Sequence, residues 1–304
     1  MRAMSQHHPE GPARFGAPFL LLVSLAACGA SPASPAETGT TTDLSVDSSD
    51  DASPPFDVAT GDVTAALAGD HRTDADRTRD VHRHPAETLA FFGFDPAMTV
   101  VEIWPGGGWY TKVLAPALRD HGTLIAATLD PGDTSFRGRF GREFRGALEE
   151  HPEVYDQVQP RVLFPTDFMT DVEDGSVDLV LSFRSAHNWI RWEGHTPEPY
   201  FAAIARVLRP GGTFGIVQHR APEGLEHGED GTVGYLTEAL IIRLAEEAGL
   251  RLDERSEMNA NPRDTHDHPE GVWSLPPVLR GGPDEALMAI GESDRMTLRF
   301  VKPQ

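Results

Sequence analysis

The stretch Met98 to Lys112, MTVVEIWPGGGWYTK, sets the tightest limit on what this chain can fold into. Val100, Val101 and Ile103 make a β-branched apolar run around Glu102, and Trp104-Pro105 lead into Gly106, Gly107 and Gly108. Such a run favours a buried strand, and glycines after it allow a tight bend that a ligand can approach closely. A helix predicted over Trp109 to Arg119, with a kink at Pro116, then aims its free N–H groups at whatever sits over the turn. Strand, glycine turn and helix together indicate a nucleotide or cofactor loop in an α/β fold, against the alternative of a tight turn with no ligand. A P-loop is excluded, because no Gly-Lys-Ser/Thr follows the glycines. The dinucleotide pattern also fails: with Gly106 and Gly108 as its first two glycines, Thr111 stands where the third belongs. Glu102, at the strand end, can hold a ligand amine or orient the loop.

With 304 residues, the chain is long enough for one large α/β domain or two small ones. A formal net charge of -21 argues against a nucleic-acid partner, which needs a basic face, and for a soluble, self-repelling surface. The lone cysteine, Cys28, allows no intramolecular disulfide and no cysteine-based metal cluster within one chain.

The amino terminus reads as a targeting segment. Arg2 and Arg14 give a basic lead, and Phe19 to Ala27 is an apolar run too short to span a bilayer. It runs into Leu25-Ala26-Ala27-Cys28, which resembles a bacterial lipoprotein signal. The resemblance implies a signal peptide over 1–27 and lipidation of Cys28, so that the protein meets a membrane surface through its anchor. The alternative is an ordinary secretory signal with a chance cysteine. Gly29 after the cysteine favours the outer membrane if the cell is Gram-negative. Residues 28–56 are a Ser/Pro/Thr/Asp-rich tether, and 57–304 are the folded domain.

Within that domain the order is regular. Asp62 to Ala68 is a short helix, the charged run His71 to His84 a solvated helix face, and Pro85 to Phe92 a helix stopped by Gly93. Strands are predicted at Gly122 to Leu129, Val162 to Phe164, Val177 to Phe183, Thr213 to Gln218, Leu250 to Glu254 and Met296 to Val301. Helices are predicted at Phe136 to Glu150, Pro199 to Leu208 and Leu236 to Ala248, with an irregular insertion from Met258 to Gly291. Strands alternating with helices give a Rossmann-like, doubly wound, mostly parallel α/β sheet, with ligands at the carboxyl ends of the strands. Glu102, Asp130, Asp167, His187 and His219 all fall at such ends. Asp130 has two readings: a carboxylate for ribose hydroxyls, or a cap for the turn Pro131-Gly132.

The order VVEIWPGGGWYT, an acid after the second strand, TDF after the third, DGSVDLVLSF and ARVLRPGGTFGIV resembles a class I S-adenosylmethionine-dependent methyltransferase. Within that superfamily the chain is similar to a group of exported bacterial methyltransferases. It shares with them RHPAETLAFFG from Arg83, PGGGWYT from Pro105, His187-Asn188-Trp189, Asn261 to Asp264, and Ser293-Asp294 through Lys302-Pro303. The resemblance covers roughly residues 78–303. It implies a seven-stranded sheet whose last strand is antiparallel and lies beside the fifth. It implies S-adenosyl-L-methionine as cofactor, held by Glu102, Pro105 and Gly106 to Gly108, by Asp130 at the ribose, by Asp167 and Phe168 at the adenine, and by Phe183 and Arg184 where substrate enters. Trp104 departs from the pattern by replacing its first glycine; it either narrows the pocket or faces the core.

Methyl transfer is an in-line displacement, so positioning supplies much of the catalysis, and an acceptor hydroxyl or amine also needs a base. His187 is the first candidate base and His219 the second, each against a purely structural hydrogen bond. Asn188 and Trp189 are candidates to orient and stack on a small-molecule acceptor; Trp189 and Trp192 read equally as core or lid. His266-Asp267-His268 is too sparse to argue a metal site, and none is expected. An exported methyltransferase would not ordinarily meet a cofactor made in the cytoplasm. The alternative is therefore an envelope lipoprotein that reuses the fold to bind a small molecule or partner without catalysis. No reading of oligomeric state follows.

Overall fold

The computed structural model describes residues 59–162, 169–191 and 196–304, all within the unit Pro54–Gln304. The signal, Cys28, the tether, Trp192 and the site candidates Asp167 and Phe168 lie outside the described residues. In chain order the first half carries α1 (Ala59–Ala68), α2 (Asp74–Arg77), α3 (Asp80–Arg83), α4 (Pro85–Phe91), β1 (Thr99–Ile103), α5 (Thr111–Leu118), β2 (Thr123–Thr128), α6 (Phe136–Glu150), α7 (Pro152–Tyr155) and β3 (Gln159–Val162). The second half carries β4 (Val177–Phe183), α8 (Ala186–Arg191), α9 (Glu198–Val207), β5 (Leu208–His219), α10 (Glu238–Glu247), β6 (Arg251–Ser256), α11 (Glu285–Ile290) and β7 (Arg295–Val301).

The strands form one seven-stranded sheet in the order β3-β2-β1-β4-β5-β7-β6. β1 pairs in parallel with β2 and β4, and β4 with β5. β7 runs antiparallel between β5 and β6, as the resemblance implied. Alternation along β1 places Val101 and Ile103 on one face with Phe201, Ile204, Leu240 and Leu244 from α9 and α10. Val100 lies on the other face with Val63, Leu89, Val113 and Leu114 from α1, α4 and α5. Both faces are covered, which is why the central strands read as continuous apolar runs rather than alternating ones.

Two packing details tie sequence oddities to the fold. Pro116 sits inside α5 and cannot donate to the carbonyl of Lys112, four residues back. That carbonyl accepts from His71 Nε2 at 2.6 Å instead, which fixes the proton on Nε2. In β5, a Cβ on Gly215 would lie 2.5 Å from the ring of Phe92, so glycine there lets α4 dock on the sheet.

Several boundaries differ from expectation. α1 starts at Ala59, three residues before the predicted Asp62. β3 is Gln159–Val162, upstream of the predicted segment. β5 begins at Leu208, so Arg209 to Gly212 belong to the strand predicted to start at Thr213. There Gly211 N–H donates to Lys302 O at 2.8 Å, and Lys302 N–H donates to Gly212 O at 2.9 Å. The charged run from His71 to His84 is the largest correction. It is a solvated face only in part: it folds into α2 and α3, where Thr73 to Ala75, Thr78 and Val81 are exposed but Arg72 and Arg83 are each 1% exposed.

Candidate functional site

The glycine turn after β1 opens onto a cavity of about 330 Å³. Gly106 (φ +59) and Gly108 (φ +73) take left-handed backbone that side chains resist. Among the described residues, a Cβ on Gly106 or Gly107 would meet nothing within 4 Å, so the main chain here faces open space. Pro105, Gly106 and Gly107 line the cavity. Trp104 also has a positive φ, 51°, and its N–H donates to Ala127 O at 2.8 Å. Its indole is half-buried against the core on the Val101 and Ile103 face, and it does not line the cavity. Of the two readings of Trp104, the side chain takes the one that faces the core.

Glu102 points to the other face of β1, where it is 2% exposed. Thr111 Oγ1, in the first turn of α5, donates to Glu102 Oε2 at 2.6 Å, which ties the strand end to the helix beyond the glycines. Burial pushes the carboxyl up to about 7, against the pull of the Thr111 hydroxyl. Asp130 follows β2, and its Oδ1 accepts from Gly132 N–H at 2.8 Å. That is the turn-capping contact, so one carboxylate oxygen is engaged locally, and Asp130 does not line the cavity. The turn is held tightly: a Cβ on Gly141 of α6 would lie 2.2 Å from Leu129 O, and one on Gly138 would lie 1.7 Å from Asp133 O.

The cavity's far wall comes from the ends of β4 and β5. Phe183 stacks on Tyr110 with ring centroids 3.4 Å apart, and Arg184 follows it with φ 56°. His187 lines the cavity and is buried; Gln218 Nε2 lies 3.3 Å from its Nδ1. Burial and then the charge of Arg191 lower the His187 ring to about 3, so the imidazole is neutral. His219 is half-buried, its Nδ1 contacts Ser293 Oγ, and its ring lies 5.6 Å from that of His187. Burial and the neighbouring His187 hold it well below the ordinary histidine range. Both rings can accept a hydrogen bond, but neither is a strong base. Asn188 also lines the cavity. Trp189 does not: it is fully buried, stacked on Tyr200 at 5.1 Å, and belongs to the core.

The insertion closes the remaining side with Val272, Trp273, Pro276, Pro277 and Val278. It is anchored by the Asn261 to Asp264 segment. Asn261 Nδ2 donates to Ile290 O and Glu292 O, and Asp264 accepts from Tyr235 Oη and the Asp294 N–H. His268 Nε2 pairs with Asp264 at 2.8 Å, and His266 Nε2 lies 3.6 Å from Asp294.

Sequence reasoning reached only Arg184 in the most highly charged part of the wall. Arg79, Arg83, Arg184 and Arg295 converge on Glu292, which is 2% exposed. Burial alone would raise the Glu292 carboxyl, but Arg295, Arg184 and Arg83 hold it well below the usual carboxylate range. Asp76 also lines the cavity and is paired with Lys112 at 2.6 Å, while Trp109 carries the Arg83 guanidinium 4.5 Å above its ring. The available signal was the density of arginine in the charged run. Nothing local tells that its partner lies more than two hundred residues away at Glu292.

Residues 102–216 match the family described as a methyltransferase domain. A search of curated proteins gives no match. Among solved structures, the chain is similar to a SAM-dependent methyltransferase from Aquifex aeolicus, at 15% identity and a TM-score of 0.50 over 74% of this chain and 93% of that one. It is similar to geranyl diphosphate methyltransferase in complex with SAM at 15% identity and 0.50, over 79% and 94%. It is also similar to the [4+2]-cyclase SpnF at 15% identity and 0.53, over 81% and 93%. The fold is thus that of the class I SAM-dependent methyltransferases, a fold that one of these relatives uses for cyclisation.

Proposed function

We propose that this chain is an S-adenosylmethionine-dependent methyltransferase acting on a small-molecule acceptor. One observation carries the reading: the glycine turn, with no side chain of the described residues over Gly106 or Gly107, faces His187, Asn188 and His219 across a single cavity. A turn with nothing to fill the place of a Cβ fits a ligand laid against the main chain. Pro105 to Gly107 would hold the methionine end, Glu102 the ammonium through the loop, and Asp130 the ribose. Asp167 and Phe168 are proposed for the adenine from the resemblance alone. The cofactor supplies a methyl group on a sulfonium. The chain's own part is placement: Arg184 and Phe183 flank the entry, Asn188 orients the acceptor, and the insertion around Trp273 keeps water out. Neutral His187 and His219 accept hydrogen bonds from the acceptor and align it. Because His187 is so weak a base, the acceptor's nucleophile either arrives deprotonated or loses its proton to water.

Calorimetric titration with S-adenosylmethionine and its demethylated product tests this. Saturable binding that weakens in Asp130→Ala is the expected result, and a folded protein that binds neither molecule overturns it. We further propose that Cys28 carries a lipid and that the domain sits at the envelope surface. Metabolic labelling with a radioactive fatty acid that persists in Cys28→Ser would refute that. An envelope location would also favour the second reading, a non-catalytic binding lipoprotein, for which the cyclase relative offers a precedent that this fold need not transfer methyl groups.

A further inference from the structure

Arg83 is 1% exposed, lines the cavity, and has only part of its hydrogen-bonding capacity used. Its Nε donates to Glu292 Oε2 at 3.0 Å, while Nη1 and Nη2 are buried with no hydrogen-bond partner among the described residues. A buried donor left unmade costs roughly 1–3 kcal/mol, more when charged. Two such atoms on one guanidinium form a fork of the shape that grips a carboxylate or phosphate in two places.

The charge around this fork points the same way. Four guanidiniums, Arg79, Arg83, Arg184 and Arg295, share the single carboxylate of Glu292. Among the described residues the other acid on the wall, Asp76, is taken by Lys112. His187 and His219 are neutral and supply no counter-charge. A chain with net charge -21 therefore encloses a cavity whose wall, over the described residues, is cationic. Buried charge of one sign without a partner is strongly unfavourable. The proposed cofactor makes the imbalance worse, because its sulfonium and ammonium outweigh its one carboxylate.

We infer that the methyl acceptor is an anion, and that its carboxylate or phosphate group sits against Nη1 and Nη2 of Arg83, with Arg79 and Arg184 beside it. This rests on the methyltransferase reading, which supplies the second ligand of the cavity. A positive cofactor and a negative acceptor would then help each other bind. The demethylated product, having lost the sulfonium charge, would gain less from the anion than the cofactor does.

The test uses the full chain and two probes, inorganic phosphate and succinate, followed by thermal shift and calorimetry with and without S-adenosylmethionine. At least one probe should raise Tm, and Arg83→Gln should weaken it at least about tenfold, roughly 1.4 kcal/mol. Arg79→Gln, at a more exposed member of the cluster, should weaken it less and guards against a folding defect in the first variant. The probe that binds tells phosphate from carboxylate. With the anion present, affinity for S-adenosylmethionine should rise more than affinity for its product. A protein that binds the cofactor but neither anion overturns the inference while leaving the methyltransferase reading in place. Mutual exclusion of anion and cofactor, with both lost in Arg83→Gln, also overturns it, because the fork would then seat the cofactor's own carboxylate. Anion binding without any cofactor binding would keep the anion seat and remove the methyltransferase reading.

Discussion

Replacing Glu102 by glutamine should stabilise the protein above neutral pH and do almost nothing in mild acid. Burial moves this carboxyl from an ordinary 4.5 to about 7. The folded state therefore holds its proton where the unfolded chain has already released it, so stability falls as pH rises from below 4.5 through about 7 and levels off beyond. Each tenfold difference in acidity corresponds to about 1.36 kcal/mol, so the ionised, folded form is disfavoured by about 3 kcal/mol at pH 8. Glu102→Gln removes the ionisation and keeps an acceptor for Thr111 Oγ1, which donates at 2.6 Å in the native protein. The variant's advantage should grow by about 3 kcal/mol between pH 4 and pH 8, or roughly 6–12 °C in Tm for a domain of this size. Urea unfolding at several pH values reads it directly. An advantage that is the same at pH 4 and pH 8, or a less stable variant at pH 8, would refute the reasoning. The same substitution should weaken S-adenosylmethionine, because the ionised carboxylate lies beside the loop proposed to hold its ammonium.

Three other outcomes are expected. Gly107→Ala meets open space and needs no positive φ, so stability should change by less than about 0.5 kcal/mol, while calorimetry should show ligand affinity falling because the new methyl enters the cavity. Glu292→Gln strips the counter-charge from four arginines; removing one partner of a buried ion cluster should cost about 3–5 kcal/mol in thermal unfolding. Because Glu292 is held below the usual range, that contribution is present above ordinary carboxylate pH and is lost only as pH falls through the depressed value, so wild type and variant should converge in acid. Burial lowers His187 to about 3, so an NMR titration should show no His187 transition between pH 5 and 8; a midpoint near 6.5 would contradict the burial described here.

The parts of the fold legible from the sequence are those whose cause is local. β4 runs over Val177–Phe183 as read, because seven residues, mostly apolar, between a Gly-Ser turn and a polar cluster leave few alternatives. α6 runs over Phe136–Glu150 as read, and Ser135 caps it by accepting from Arg137 N–H. β3 is less plainly written, since Gln159-Pro160-Arg161-Val162 at the sheet edge has little apolar content and is set by its pairing with β2. Trp189 shows the limit for single residues: the sequence places it beside the site, and a stack on Tyr200 from the next helix takes it into the core.

By itself, then, the sequence determined the strand, the glycine turn, the helix after it and the arrival of His187 and His219 at one end of the sheet. Hydrophobic period, β-branching and glycine act over a few residues, and strand ends of a parallel sheet fall on one side by topology. Only the tertiary structure decided that Arg72 and Arg83 are buried, that His71 caps the carbonyl freed by Pro116, and that Arg79, Arg83, Arg184 and Arg295 share Glu292. Those facts depend on partners far apart in the chain. A charged run reads as solvated until folding supplies the opposite charge, and the low dielectric that makes the pairing matter exists only once the chain has closed around it.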